Sequence, residues 1–400
     1  MALVVSSAAS GQESGGKGSA ARPEIAKPIQ AAIELVRSKR GKEALAKVRE
    51  AQAIQDRSPY ENYVIDRVLG QAATLTGEPA VAARAFDGAA SSPAASEAEK
   101  RQLLAAAAGQ YYLAKDYHKA VEAAERHFAA GGGDRSVRTI QIQALYLANN
   151  FAAAGKLLAA DLDAEEQAGK TPAESQLQLL ANAVLQQKDL AGYGRAMERL
   201  LTHYPKRDYW MVVIQAVAAR AGFSERLALD VARLKIETGI MRTTDEYLEA
   251  SQLALQDGFP KEAMKIIDLG YAAGLLGNGV DAARHKRLKD MAAKNLVDDL
   301  KAMARDEGQP ASGREGKALF NDGFNLILNG KADKGLAMME QGIRLGTGLK
   351  RLEHAKMQLA YAHHLAGQDP KAVQMYRSAR GADGTEALAR LWIIRLSRPS

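Results

Sequence analysis

The feature that most constrains the fold is a pair of apolar runs that recurs along the chain. The clearest copy is residues 104–128, in which two runs flank the polar corner Lys115-Asp116. Each run repeats its apolar residues every three to four positions, which is the spacing of an amphipathic helix. Residues 134–163 align with this copy at a shift of 34 residues. A helix pair repeated at this period predicts an array in which each pair buries its apolar face on its neighbours.

The composition supports helices rather than strands. Hydrophobic residues make up 47% of the 400 residues but aromatic residues only 6%, so alanine supplies much of the apolar content. Alanine is the best helix former and lets helix axes approach closely. A chain of this length is too long for one compact core, whereas an array of repeats has no such limit.

Residues 58–91 carry the most detailed pattern. Ser58-Pro59-Tyr60-Glu61 is typical of a capping box with proline at the first helical position. Gly70 is expected where two helices cross closely, and Phe86 is expected to fill the space between repeats. Related capping signals occur at Ser96, Thr171 and Thr243, each followed three residues later by glutamate.

The spacing of these residues resembles the tetratricopeptide repeat, whose period is about 34 residues. The matching positions are Leu69, Gly70, Gly77, Ala82, Phe86 and Ala89, and in the next copy Tyr111, Tyr117, Ala120 and Ala124. The resemblance implies an all-α fold, a right-handed α-solenoid of antiparallel helix pairs. A lone helix over residues 385–396 would cap its carboxy-terminal end. The chain also resembles uncharacterised exported repeat proteins of Gram-negative bacteria, a likeness that implies no activity.

Breaks in the pattern predict four segments. Residues 1–22 are rich in glycine and serine and are interpreted as a disordered lead or the remnant of a signal peptide. Residues 23–273 form an amino-terminal array. Residues 274–314 combine a Gly-rich break, a charged helix and a linker, which is a candidate hinge. Residues 315–400 hold two further repeats and the capping helix.

The sequence offers little support for a catalytic, metal-binding or nucleotide-binding site. It contains no cysteine, and its net charge of +7 is spread without a dense basic run, so no nucleic acid is expected as a partner. His363 and His364 are adjacent on a helix and cannot chelate one metal together. The segment GLLGNG at 274–279 lacks the Lys-Ser/Thr of a phosphate loop, which leaves a helix break with left-handed glycine. No cofactor, no metal and no membrane span are predicted.

The resemblance also implies a binding groove, because in the tetratricopeptide family the first helix of each pair lines the concave face. Glutamine and asparagine can donate to and accept from a peptide backbone, and tyrosine adds rigid contact area. The alternative is that these side chains are merely solvated or buried between helices. Arg67 is the only basic residue in the central set, which argues against capture of a terminal carboxylate. Transferred by alignment, the groove residues are Arg67, Gln71, Thr74, Tyr112, Gln143, Tyr146, Gln178, Asn182, Phe320, Phe324, Tyr361 and His364.

These observations favour a non-enzymatic scaffold that binds a peptide or protein segment in the groove, in a bacterial envelope assembly or secretion complex. The partner is not identified by the sequence. Ala2 to Val5, followed by small residues, indicates a periplasmic location, with the cytoplasm as the alternative. Two other functions stay open: self-assembly, such as a homodimer, through terminal repeats, and a helical-toroid hydrolase or lyase. The last would need two acids that converge in one pocket.

Overall fold

The computed structural model describes residues 20–306 and 315–397, and these form two compact units. The first consists of the described part of Met1–Lys170 together with Asn182–Lys188. The second consists of Thr171–Ala181 and the described part of Asp189–Ser400. The described residues contain 20 α-helices, one 3₁₀ turn and no strand. The predicted all-α architecture of antiparallel helix pairs is therefore confirmed, while the hand of its superhelix stays a prediction.

Helices α1 to α8 and the end of α9 build the first unit. From α1 to α8 each helix packs on the next, α1 also packs on α3, and α5 also packs on α7. Alanine dominates its core, as the composition indicated. The helices are α1 Pro23–Arg37, α2 Gly41–Gln52, α3 Pro59–Thr76, α4 Pro79–Ser91, α5 Glu97–Leu113, α6 Tyr117–Ala129, α7 Arg135–Leu147, α8 Phe151–Gln167 and α9 Glu174–Gln186.

The start of α9 and helices α10 to α20 build the second unit. A 3₁₀ turn at Glu225–Leu227 precedes α12. The helices are α10 Leu190–His203, α11 Arg207–Ala218, α12 Ala228–Glu237, α13 Thr244–Gln256, α14 Pro260–Ala272, α15 Ala282–Asp306, α16 Gly316–Leu328, α17 Ala332–Leu345, α18 Leu352–Leu365, α19 Asp369–Ser378 and α20 Thr385–Leu396. The predicted terminal helix over 385–396 is confirmed.

Local sequence explains several helix starts. Ser58, Ser96 and Thr243 each form the predicted capping box with the glutamate three residues later. The box predicted at Thr171 is wrong, because α9 begins only at Glu174. The carboxylate of Glu174 instead accepts hydrogen bonds from Lys206 Nζ at 2.7 Å and from the Tyr209 hydroxyl.

Close helix contacts explain glycine at helix crossings in both units. A Cβ atom added to Gly70 would lie 2.6 Å from the Phe86 ring, so α3 and α4 could not keep their separation. This confirms that Gly70 lies at a close crossing. The Phe86 ring packs over Gly70 within the same helix pair, and its predicted role between repeats stays a prediction. The same argument holds for α16 and α17, where a Cβ on Gly335 would lie 2.4 Å from the Gly323 carbonyl oxygen.

Helix α20 closes the second unit on itself. It packs on α18 and α19 and also on α10, α11 and α12. Arg390 donates to the Glu198 carboxylate at 3.1 Å, and Arg395 donates to the Glu237 carboxylate at 2.8 Å. Just before α20, the Asp383 carbonyl accepts from the Ser224 N–H at 2.8 Å. The terminal helix thus does more than cover the last repeat.

The compact units do not divide at the segment predicted as a break. Gly274, Gly277 and Gly279 adopt positive φ, as expected of a helix break, and α15 follows as the predicted charged helix. However, α15 packs on α14 within the second unit. Residues 307–314 of the predicted linker and residues 1–19 of the predicted lead lie outside the described residues. The domain division at 274–314 stays a prediction.

Candidate binding face

The corner between the two helices of a pair is a common reference point. From it the first helix of each pair, here called the leading helix, can be aligned residue by residue. In each corner one residue has positive φ, and its N–H donates to the carbonyl three residues earlier. The bonds are Gly77 to Thr74 (3.3 Å), Lys115 to Tyr112 (3.0 Å), Asn149 to Tyr146 (3.0 Å), Lys188 to Leu185 (2.8 Å), Gly330 to Ile327 (3.0 Å) and Gly367 to His364 (2.9 Å). This repeated geometry gives a structural register that does not depend on sequence similarity.

In this register the predicted groove residues fall at three equivalent positions of the leading helices. Thr74, Tyr112, Tyr146 and His364 lie three residues before the corner residue. Gln71, Gln143, Asn182, Phe324 and Tyr361 lie six before it, and Arg67, Gln178 and Phe320 lie ten before it. These offsets correspond to i, i+4 and i+7, which share one face of a helix. The alignment used for the sequence prediction therefore selected one stripe of each helix.

In the first unit this stripe is open to solvent. We call the residues at these positions on α3, α5, α7 and the end of α9 the open face, and all of them are exposed or half-buried. They are Arg67, Gln71, Thr74, Ala105, Gly109, Tyr112, Thr139, Gln143, Tyr146, Asn182 and Leu185. No described residue of the first unit covers them, which leaves them free for contact with a partner.

The open face has little net charge. Its one charged side chain, Arg67, lies 3.4 Å from the Glu99 carboxylate, which also accepts from the Tyr63 hydroxyl at 2.7 Å. The hydrogen bond from the Tyr63 hydroxyl lowers the pKa of Glu99 below its ordinary value and outweighs burial, which acts in the opposite direction. Arg67 is therefore neutralised within the protein, and recognition here depends on hydrogen bonds and contact area.

Tyrosines on the open face are held in place by aromatic neighbours in the following helix. The ring centroids of Tyr112 and Tyr117 are 5.9 Å apart, and those of Tyr146 and Phe151 are 5.2 Å apart. Tilted and edge-on pairs of this kind are favourable. The repeated pairs fix both tyrosines without burying them completely, and both keep a surface available for contact.

Gly109 leaves a gap between Ala105 and Tyr112 on the same face. A Cβ atom added there would meet only Ile140, at an ordinary distance of 3.8 Å. Glycine inside a helix is less favourable than alanine by about 1 kcal/mol. Packing therefore does not explain this glycine, whereas a close approach of another backbone would.

Gln178 and Asn182 both lie exposed on α9 but have different surroundings. Gln178 belongs to the second unit, where its side-chain amide donates to the Tyr209 hydroxyl at 2.6 Å. Asn182 belongs to the first unit. The two residues thus lie on one stripe of α9 but belong to different compact units.

In the second unit the equivalent stripe is filled by the protein itself. Phe320 and Phe324 are each only 2% exposed, and Tyr361 and His364 are half-buried. The placement of Phe320 and Phe324 on an accessible groove wall is therefore corrected: both belong to the core. The physical reason is α12, whose Arg233 guanidinium lies 5.1 Å from the Phe324 ring centroid and 4.9 Å from that of Tyr361.

Arg233 is the centre of a buried ion cluster. It is 2% exposed and donates to the Glu262 carboxylate at 2.7 and 2.8 Å and to Asp230 at 2.9 Å. Asp230 also bonds His354 of α18 at 2.8 Å. Burial opposes the charge of Arg233, but the carboxylates of Glu262 and Asp230 outweigh it and raise its pKa. The cluster joins α12, α14 and α18.

His364 belongs to a second ion cluster, which is formed by residues of α12, α18, α19 and α20. Its Nδ1 lies 2.6 Å from the Asp369 carboxylate, and its Nε2 lies 3.7 Å from the Glu237 carboxylate that Arg395 also binds. The carboxylates of Glu237 and Asp369 raise the pKa of His364 against the effect of burial. His364 is thus engaged within the second unit, and partner binding by Tyr361 or His364 stays a prediction.

Sequence analysis missed Asp230 and Arg233. They stand three residues apart in the otherwise apolar run Leu227–Leu234, which contains no other charge. Charged residues are almost never fully buried unless they are paired. Two opposite charges at this spacing on an apolar helix therefore indicate that α12 is buried and that the two residues form an ion pair within the core.

The described residues also set bounds on other kinds of site. Between residues 20 and 306, and between 315 and 397, no three His, Asp or Glu side chains are grouped to hold a metal ion. None of the helices in these ranges has the length and apolarity needed to cross a bilayer.

Comparison with known proteins gives similarity only at the level of solved structures. No protein-family model and no curated protein matches the chain. The chain is similar to the TPR2AB-domain:pHSP90 complex of yeast Sti1 (12% identity, TM-score 0.24, covering 75% of this chain and 100% of that one). It is also similar to yeast Tom70 (12%, TM-score 0.25, covering 91% and 94%).

A third similar structure is the pentatricopeptide repeat protein PPR10 from maize, with 17% identity and a TM-score of 0.29. The match covers 91% of this chain and 56% of that protein. Identities and TM-scores in this range do not assign the chain to a family. The helix pairs and their corner geometry, described above, are what define its fold.

Proposed function

We propose that the protein is a non-enzymatic scaffold that holds an extended polypeptide segment against the open face of its first unit. The observation that supports this is recurrence: α3, α5 and α7 present the same three positions to solvent. Gln71 and Gln143 occupy one of these positions on α3 and α7 and can both donate to and accept from a peptide backbone. Gly109 occupies the same position on α5 and leaves room for that backbone to approach.

Two tyrosines would add contact area to the hydrogen bonds that the amides supply. Tyr112 and Tyr146 offer large, rigid contact areas with a polar end, and residues of this type dominate the binding energy of many interfaces. Since Arg67 is neutralised by Glu99, the face does not select a strongly acidic segment. The expected partner is an uncharged, extended stretch of another protein.

The test is partner capture by a face variant and a matched control. The variant Gln71→Ala/Gln143→Ala/Asn182→Ala removes three amides from the open face. The control Gln167→Ala/Gln215→Ala/Gln374→Ala removes three exposed amides elsewhere. Crosslinked pull-downs from cells should recover the same partner with wild type and control and lose it with the face variant. Equal recovery by all three proteins would refute a binding role for the open face.

We further propose that the protein acts in the periplasm, in an envelope assembly or secretion complex. Support comes from the short apolar stretch Ala2 to Val5 followed by small residues, and from the resemblance to exported repeat proteins. Fractionation of cells that produce the native protein tests this. Recovery with cytoplasmic markers would contradict it.

The enzyme alternative requires paired acids, and one such pair is Asp299 of α15 with Asp322 of α16. Burial and the charge of Asp322 raise the pKa of Asp299. A raised pKa can also arise at a purely structural carboxylate, and neither residue lines the cleft described below. If the purified protein turned over a substrate and Asp299→Asn abolished that activity, an enzymatic function would be favoured over the scaffold.

A further inference from the structure

A cleft of about 670 Å³ lies between α14, α15, α16 and α18 of the second unit. Its walls are largely apolar: Met264 and Leu269 from α14, Leu296 from α15, Leu328 from α16 and Leu365 from α18. Leu269 keeps 37% of its surface exposed. Apolar side chains from four helices thus line a depression that the described residues of this unit leave open.

One edge of the cleft is positively charged. Lys261 and Lys265 lie four residues apart on α14, are exposed, and therefore point from the same side of the helix. Neither forms an ion pair with a described residue. The acidic residues of the lining are already engaged, since Glu262 binds Arg233 at 2.7 Å and Asp268 binds Lys289 at 2.7 Å. Glu237, which Lys265 influences through space, is bound by Arg395.

We propose that this cleft binds an amphipathic helix of a partner protein, with leucine-like side chains on one face and carboxylates along one edge. The apolar walls would take the leucine-like face, and the carboxylates would meet Lys261 and Lys265. Because the two lysines are one helical turn apart, they match acidic residues spaced three or four apart on a helix. Recognition of an amphipathic helix in an apolar groove is a recurrent mode of binding.

This site is separate from the open face of the first unit. The two surfaces differ in chemistry, since the open face carries amides and tyrosines without net charge while the cleft combines leucines with free lysines. A failure of one proposal therefore leaves the other standing. Variants of each surface serve as controls for the other.

The experiment is a selection from a displayed library of amphipathic helices of about 15 residues, roughly four turns, against the full chain. A counter-selection uses the variant Lys261→Glu/Lys265→Glu. Both lysines are exposed and unpaired, so this variant should fold like wild type. Enriched peptides should carry Asp or Glu along one edge and Leu, Ile, Met or Phe on the adjacent face. No enrichment, or enrichment of neutral or basic helices, would overturn the proposal.

Affinity of one enriched peptide, labelled with fluorescein, is then measured by anisotropy. Lys261→Glu/Lys265→Glu should weaken binding by about tenfold or more, as should replacing the peptide carboxylates by amides. Leu269→Gln should weaken it too. The control Lys334→Glu/Lys371→Glu, which reverses two exposed lysines elsewhere, should bind like wild type. Equal binding to all variants, or loss with the open-face variant, would place the peptide elsewhere and refute the cleft.

Discussion

At the scale of single residues, the second unit depends on the balance of charge around Arg233. Replacing it with methionine leaves Glu262 buried without its cation and leaves Asp230 with His354 as its remaining partner. Removing one partner of a buried ion pair typically costs about 3–5 kcal/mol, so Arg233→Met should destabilise this unit by that amount. Urea unfolding followed by tryptophan fluorescence measures it, because both tryptophans, Trp210 and Trp392, are buried there.

The matched control neutralises the whole cluster. Asp230→Asn/Arg233→Met/Glu262→Gln removes the charges together, so much of the lost stability should return, since replacing a buried ion cluster is often nearly neutral. If Arg233→Met alone costs less than about 1 kcal/mol, or if the triple variant is less stable still, the cluster does not work through charge compensation.

Two of the three histidines of α18, His354 and His364, should make the second unit sensitive to alkaline pH. Burial lowers the pKa of His354, but the Asp230 carboxylate outweighs it and raises the pKa in the folded state; Glu237 and Asp369 do the same for His364. A raised folded pKa gives stabilisation that is complete below the unfolded value of about 6.5. That stabilisation is lost as pH rises through the folded value.

Urea unfolding of wild type should therefore show a free energy of unfolding that falls as the pH is raised from about 6 to about 9, a range that begins near the unfolded pKa of histidine. The variant His354→Gln/His364→Gln should be less stable at the acidic end and nearly flat across the range. Wild type and variant with parallel pH dependence would show that other groups are responsible.

Gly109 allows stability and binding to be separated. Gly109→Ala should raise the stability of the first unit by up to about 1 kcal/mol, because alanine favours the helix and its Cβ meets only Ile140 at 3.8 Å. If the open face receives a backbone there, the same change should weaken partner capture. Thermal unfolding followed by circular dichroism and the pull-down measure the two effects. A variant that is less stable would show a hidden clash.

At the scale of elements, α16 and α17 pack through glycine at two levels. A Cβ on Gly335 would lie 2.4 Å from the Gly323 carbonyl oxygen, and one on Gly342 would lie 2.5 Å from the Gly316 carbonyl oxygen. Gly335→Ala should therefore force the helices apart and cost about 1–3 kcal/mol. Gly194→Ala in α10 is the control, because nothing lies within 4 Å of its added Cβ. Urea unfolding of both variants provides the comparison, and equal stability would contradict the close contact.

Contacts within one helix pair could be predicted from the sequence, whereas contacts between helices far apart in the chain could not. Gly70 could be assigned to a close helix crossing because it belongs to one helix pair whose spacing carries the information. The open stripe of Gln71, Tyr112 and Gln143 followed for the same reason. By contrast, Phe324 is covered by α12, a helix about ninety residues earlier, and no local pattern reports such a contact.

At the scale of the whole molecule, the two units differ in the contacts that stabilise each of them internally. Helices of the first unit contact their neighbours along the chain, whereas α20 binds α10 to α12 through Arg390 and Arg395. Deleting residues 385–400 should therefore loosen α10 to α12 as well as α18 and α19. Hydrogen exchange with mass spectrometry should show faster exchange in both groups and unchanged exchange in α3 to α7. Unchanged protection of α10 to α12 would mean that α20 is only a terminal cover.

The position of α20 also sets the order in which the protein is completed during synthesis. Glu198 and Arg390 are separated by 192 residues, and Glu237 and Arg395 by 158. Domains that depend on local contacts can fold while the ribosome is still adding residues. The first unit can therefore fold during translation before the second, which must wait until α20 has been synthesised and exposes the apolar surfaces of α10 to α12 until then. A chaperone that binds nascent chains would meet this protein at its second unit.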